Sequence, residues 1–226
     1  MAPPTAQERL DQASEARRDG RYAEALAHHL WFHENSLAED PALSAVRLSF
    51  AVGYWAELGR VYPPALDALR AARDRPRDRL LAGTGDWEAF AEVAAVDEAL
   101  GEPHATHDLF RRLDSAHPAL AHECRNVALP VLVEQGDHEL ARRYLGDPET
   151  FVRGCAEIVA LALEHAPAGR VREAVTRRYA DDVRLLLDVL VAVGERDAAR
   201  SARELALAAV ADAGVRAEVA VRVPVV

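Results

Sequence analysis

The chain contains no lysine, so all 27 of its bases are arginine. That absence excludes a phosphate loop closed by lysine, a Schiff-base lysine for pyridoxal phosphate and a lysine general base. Cysteine is scarce as well. Cys124 and Cys155 both fall inside helical patterns and read as reduced, buried thiols rather than as a disulfide staple. Positive charge is in deficit, with 37 acids and a formal charge of −10. Nucleic acid is therefore not an expected partner, because phosphate contacts need a basic footprint. The longest apolar runs, such as Ile158 to Leu163, fall far short of the roughly 20 residues that cross a bilayer, so no membrane partner is expected either. Met1 to Thr5 holds no basic stretch leading into an apolar core, which does not read as a secretory signal. A cytoplasmic location is the expectation.

Catalytic signatures are equally lacking. Gly83-Thr84-Gly85 has neither a third glycine nor a preceding strand, so it is no dinucleotide fingerprint. No Gly-x-Ser-x-Gly elbow and no His-Glu-x-x-His pattern occurs. His122 and Cys124 stand two residues apart, a spacing that diverges by about 200° on a helix, so this histidine does not activate that thiol. His104 and His107 lie near a helix start, where surface histidines are ordinary. No cofactor is implied, and no residue is assigned a catalytic role.

What the chain does contain is helical periodicity over nearly its whole length, with half of its residues apolar. Thr5-Ala-Gln-Glu8 predicts a capping box, and Asp40-Pro41 and Asp147-Pro148 each predict a capping carboxylate before a first-turn proline. Glycines 20, 59, 101, 136 and 194 each close a helical segment. A short polar turn follows each, and then a small residue five or six positions on: Ala25, Ala65, Thr106, Ala141 and Ala199. Such a junction suits antiparallel helix pairs, the glycine taking a left-handed cap and the small residue admitting the second helix. The first four glycines are spaced by 39, 42 and 35 residues, the period of two-helix repeats. Pro130 predicts a kink or split in its helix. Val219 to Val226 alternates in a strand-like way, with Pro224 unsuited to a central strand.

Gly20-Arg-Tyr22-Ala-Glu-Ala25-Leu26 resembles the helix-turn-helix junction of tetratricopeptide repeats, and Gly101 to Pro118 has the spacing at which that family places its closing proline. The resemblance covers residues 5–145 and 180–212. The second junction carries an extra residue, Pro41 comes later than the family pattern places it, and residues 148–178 keep no signature. The resemblance implies an all-α fold of antiparallel helix pairs stacked as a right-handed superhelix. It also implies a non-catalytic scaffold or adaptor that binds a peptide or helix of a partner protein. A single domain over residues 1–214 is expected, with the basic connection Arg75 to Asp86 as an alternative point of subdivision, followed by an apolar tail over 215–226.

Nine of the thirteen aromatics, including Trp31, Trp55 and Trp87, lie between Tyr22 and Phe90. At 100° per residue, Tyr22, Leu26, His29, His33 and Leu37 share one face of a helix, and Leu43, Val46, Phe50, Tyr54 and Leu58 share a face of the next. Arg47 and Glu57 fall at the margins of that second stripe, while Trp31 projects to the opposite side of its own helix. The expected partner-binding residues are Trp31, Arg47, Tyr54, Trp55 and Glu57, with Arg47 as a carboxylate clamp. The alternative is a metal- or small-molecule-dependent enzyme using the His29/His33/Arg47/Tyr54/Glu57 seam. His29 and His33, one turn apart, are its candidate metal ligands. A third reading is self-assembly, as a homodimer through Trp31 and the valine tail.

Overall fold

A computed structural model describes residues 4–165 and 169–223, and every regular element among them is helical. No helix among the described residues is long and apolar enough to cross a membrane. The chain forms two compact units, Met1–Ala128 and Leu129–Val226. The division falls inside a helix and not near residues 75–86.

The first unit opens with α1 (Ala6–Arg18) and α2 (Tyr22–Glu39). The Thr5/Glu8 capping box forms as the sequence predicts. The Ala6 N–H at the start of α1 donates to the Glu39 carboxylate at the end of α2 at 3.1 Å, which fixes the pair as antiparallel. A 3-10 turn, Pro41–Leu43, capped by Asp40, leads into α3 (Ser44–Val46), a π-helical stretch Arg47–Ala51, and α4 (Val52–Gly59). Then come α5 (Pro63–Leu81), α6 (Trp87–Leu100), α7 (Pro103–Ala116) and α8 (Pro118–Glu134).

All five small junction residues are buried: Ala25, Ala65, Thr106, Ala141 and Ala199 are each 0–1% exposed. Gly20, Gly101, Gly136 and Gly194 adopt positive φ as their junctions require. Gly59 does not. It is the last residue of α4, and an added Cβ there would lie 3.1 Å from the Leu66 side chain, so its role is close approach rather than a left-handed cap.

Three further local expectations are corrected. Residues 75–81 are not a connection, because α5 continues through Pro76 to Leu81 and only residues 82–86 link it to α6. The stripe Leu69, Ala72, Pro76 and Leu80 is buried along one face, and that burial outweighs the hydrogen bond that proline cannot donate. Pro130 likewise does not split α8, which is continuous from Pro118 to Glu134.

The second unit comprises α9 (His138–Leu145), α10 (Pro148–His165), α11 (Gly169–Ala192), α12 (Arg196–Ala208) and α13 (Ala213–Arg222). Asp147 caps α10 by accepting from the Thr150 N–H at 2.8 Å. The Tyr179 hydroxyl donates to the Ala206 carbonyl at 2.9 Å, tying the middle of α11 to the end of α12. The third correction concerns the tail. Residues 213–222 form a helix whose Val215 and Val219, together with Val223, are buried against the unit, while Val221 is 84% exposed. Burial at every fourth residue overrides the strand-like alternation. Pro224 lies outside the described residues.

Candidate functional site

The π-helical stretch Arg47–Ala51 decides where the expected site residues go. It adds a residue to the turn, so positions before and after it no longer share the face that a regular period assigns. Phe50 and Tyr54, expected in a core stripe, stand 63% and 40% exposed, tilted against each other at 6.5 Å. Trp55 turns inward instead. It is 1% exposed, and its indole N–H donates to the Ala65 carbonyl at 2.9 Å. Trp55 is therefore a core residue of the α4–α5 pair and offers no anchor to a partner.

Two of the three α2 histidines, His29 and His33, pack on this tryptophan. His29 stacks nearly parallel to it at 6.1 Å and His33 meets it edge-on at 5.6 Å. Burial drives the His29 imidazole down to about 4, so it is neutral at physiological pH. Among the described residues no group of three histidine, cysteine, aspartate or glutamate side chains gathers as a metal site. Trp31 is half-buried, with the Arg9 guanidinium over its ring at 4.9 Å. Glu57 pairs with Arg17 of α1 at 3.0 Å and takes no part in a seam with Arg47. The residues grouped by helical-wheel geometry therefore disperse: His29 and Trp55 to the core, Tyr54 to the surface, and Glu57 to α1.

Arg47 and His33 do come together, around an acid the sequence reading missed. Arg47 Nε donates to the His33 carbonyl at 2.8 Å, and Nη2 donates to Glu92 Oε2 at 2.9 Å. His33 Nε2 lies 3.0 Å from Glu92 Oε1 and 3.1 Å from Arg47 Nη2. Burial pushes the Glu92 carboxyl upward, but His33 and Arg47 together outweigh it and hold the group below its ordinary value. Glu92 was detectable in principle, since it stands between Ala89 and Val96 at the edge of the buried stripe of α6.

This triad forms one wall of a cleft of about 660 Å³ lined by His33 and Glu34 of α2, Arg47, the α5 residues Ala72, Arg75, Pro76 and Arg79, and Glu92 of α6. Arg75 reaches Glu34 at 3.6 Å across the opening. Arg79 has no acidic partner among the described residues. Three guanidinium groups thus face two carboxylates, a positive excess in a chain of net charge −10.

A second polar cluster in this unit is structural. Arg73, 8% exposed on the buried face of α5, donates to Asp97, Glu102 and Asp74, each at 3.0 Å. Arg73 stands two residues before the basic connection expected from Arg75 to Asp86, and no buried role was expected of it. The usable signal was its place one residue after Ala72 in the Leu69-to-Leu80 stripe, as Asp97 follows Phe90 and Val93 in α6. Cys124 is fully buried as expected, its thiol raised by burial to about 12; Cys155, also expected to be buried, is only half-buried, and desolvation raises it to about 11. Comparison of the chain with protein-family models, with curated proteins and with solved structures finds no match.

Proposed function

We propose that the chain is a non-catalytic adaptor of tetratricopeptide-like character, whose first unit receives a carboxylate-bearing segment of a partner protein in the α2–α5–α6 cleft. The repeat reading draws on the five junctions in which a turn is followed by a buried small residue. The single observation that carries the ligand chemistry is Arg79, an exposed guanidinium on the cleft wall without an acidic partner among the described residues. Arg47 is held rigidly by His33 and Glu92, so it contributes field and shape, while Arg79 and the weakly paired Arg75 are the groups able to clamp a carboxylate.

An enzyme built on the same cleft draws on the His33–Glu92 pair. Among the described residues the lining offers that pair no serine, threonine or cysteine to activate.

An array of immobilised acidic peptides, each beside its glutamine counterpart, tests the adaptor reading. The wild-type chain is expected to be retained by the acidic members alone, and an Arg75→Glu/Arg79→Glu variant to lose that retention while keeping its helical circular dichroism. Equal retention on the glutamine peptides, or retention that survives charge reversal, overturns it.

A further inference from the structure

The second unit carries an apolar face that its own core does not use. Ile158, Leu161 and Val171 are 71%, 60% and 60% exposed, on α10 and at the start of α11. Between these helices runs a groove of about 320 Å³, lined by Cys155, Ile158, Val159 and Ala162 on one side and by Ala174, Val175 and Tyr179 among others on the other. Its charged lining residues are already satisfied, with Arg178 pairing with Asp182 at 2.9 Å. What remains open is apolar, and exposed apolar surface of this kind marks a contact site.

The charges that flank the groove indicate what covers it. On α10 the margin beyond Ile158 and Leu161 carries Glu157 and Glu164, and on α11 the margin beyond Ala174 carries Arg170 and Arg177. All four are exposed and none has an ion-pair partner among the described residues. Neighbouring charges are used internally, since Arg153 pairs with Glu149 and Asp181 with Arg222; Glu173 sits farther round α11. The two acids are two helical turns apart, and so are the two arginines. In the antiparallel hairpin that lines the groove, Glu164 lies level with the Arg170 end and Glu157 with the Arg177 end.

We infer that this groove is the seat of a second copy of the same chain. A two-fold axis along the groove sets α10 of one copy over α11 of the other, the arrangement of an isologous interface. The apolar stripe then meets itself, and each Glu157 and Glu164 faces an Arg177 and Arg170 of the partner copy at matched spacing. Opposite charges on the two margins make the surface complementary to itself, whereas two acidic margins brought together would repel.

Sedimentation velocity on the full chain tests this at about 100 µM, a concentration that populates complexes of micromolar affinity. The wild type is expected to sediment as a dimer, and Ile158→Arg as a monomer with its fold intact, because that side chain lies on the surface. A Glu157→Arg/Glu164→Arg variant and an Arg170→Glu/Arg177→Glu variant are each expected to be monomeric alone and to dimerise when mixed in equal amounts. A monomeric wild type overturns the inference, as does a dimer that survives Ile158→Arg. A mixture of the two charge-reversed variants that stays monomeric overturns it too.

Discussion

Arg73 and Asp97 form a buried ion pair, 8% and 1% exposed, with the guanidinium Nη1 3.0 Å from Asp97 Oδ1. The other oxygen of that carboxylate accepts from the Thr106 hydroxyl at 2.8 Å, so one acid joins α5, α6 and α7. Burial pushes the Asp97 carboxyl up, and the Thr106 and Arg73 hydrogen bonds act against that push. Asp97→Ala removes the most buried of Arg73's three acidic partners and the acceptor of the Thr106 hydroxyl, while Glu102 and Asp74 still bond the guanidinium. It is expected to cost about 3 kcal/mol of stability, by urea denaturation, as two hydrogen bonds to a charged group are lost. Thr106→Val, which removes one hydrogen bond to the carboxylate, is expected to cost about 1–3 kcal/mol. Equal losses from the two variants would show that Arg73 is not the dominant partner.

Adjacent aromatics should respond oppositely to truncation. Trp55 is 1% exposed and hydrogen-bonded to Ala65, while Tyr54 beside it is 40% exposed. Trp55→Ala is expected to cost about 3–5 kcal/mol, from the cavity it leaves. Tyr54→Ala is expected to stay within about 0.5 kcal/mol of the wild type. Thermal denaturation of both variants distinguishes this from the face assignment that a regular helical period makes. In that assignment Tyr54 is the core residue and the larger loss falls on it.

That reversal marks the limit of what was legible in the sequence. The Thr5–Glu8 cap, the Asp147 cap and four of the five junctions were legible because their signals are local, a side chain and an amide three residues away or a glycine and the small residue after it. The Arg47–Ala51 stretch was not, since nothing in Arg-Leu-Ser-Phe-Ala announces an extra residue in the turn, which turns Phe50 and Tyr54 outward while Leu58 of the same expected stripe stays buried. Pro76 and the final valines failed for another reason. Local propensity favoured a break at one and a strand at the other, and both were overruled by burial of a helical face that only tertiary packing supplies. Within the candidate site, Arg47 and His33 were found from their own positions. Glu92 was not, because its partners lie on helices distant in the chain.

His29 gives the first unit a pH dependence of definite sign. Its imidazole titrates near 4 in the folded chain and near 6.5 when unfolded. The unfolded state therefore binds more protons across that window, and stability falls as the pH drops from 6.5 towards 4. Between pH 7 and pH 5 the loss from this group is about 2 kcal/mol. His28, also lowered chiefly by burial, acts in the same direction. Glu92, held below its ordinary value, loses its contribution only at lower pH. Urea denaturation at the two pH values should show this loss in the wild type and most of it missing in His29→Phe, which keeps a ring on Trp55. An unchanged pH dependence in the variant would mean that the buried imidazole is not its source.

Two glycines of one helix, six residues apart, make a matched pair of opposite sign. A Cβ at Gly59 would stand 3.1 Å from both Cβ and Cδ1 of Leu66 and 3.3 Å from its Cα, so α4 and α5 would have to separate. Gly59→Ala is expected to cost about 1–3 kcal/mol, the range for overpacking a filled interior. A Cβ at Gly53 meets nothing within 4 Å, and its backbone is helical without a positive φ. Gly53→Ala should therefore add about 0.4–1 kcal/mol, by restricting the unfolded chain and improving helix propensity. The comparison separates steric contact from flexibility, since both changes add the same methyl group. If Gly59→Ala stabilises as Gly53→Ala does, the close approach at Leu66 does not govern how α4 packs on α5, and the glycine there serves the turn alone.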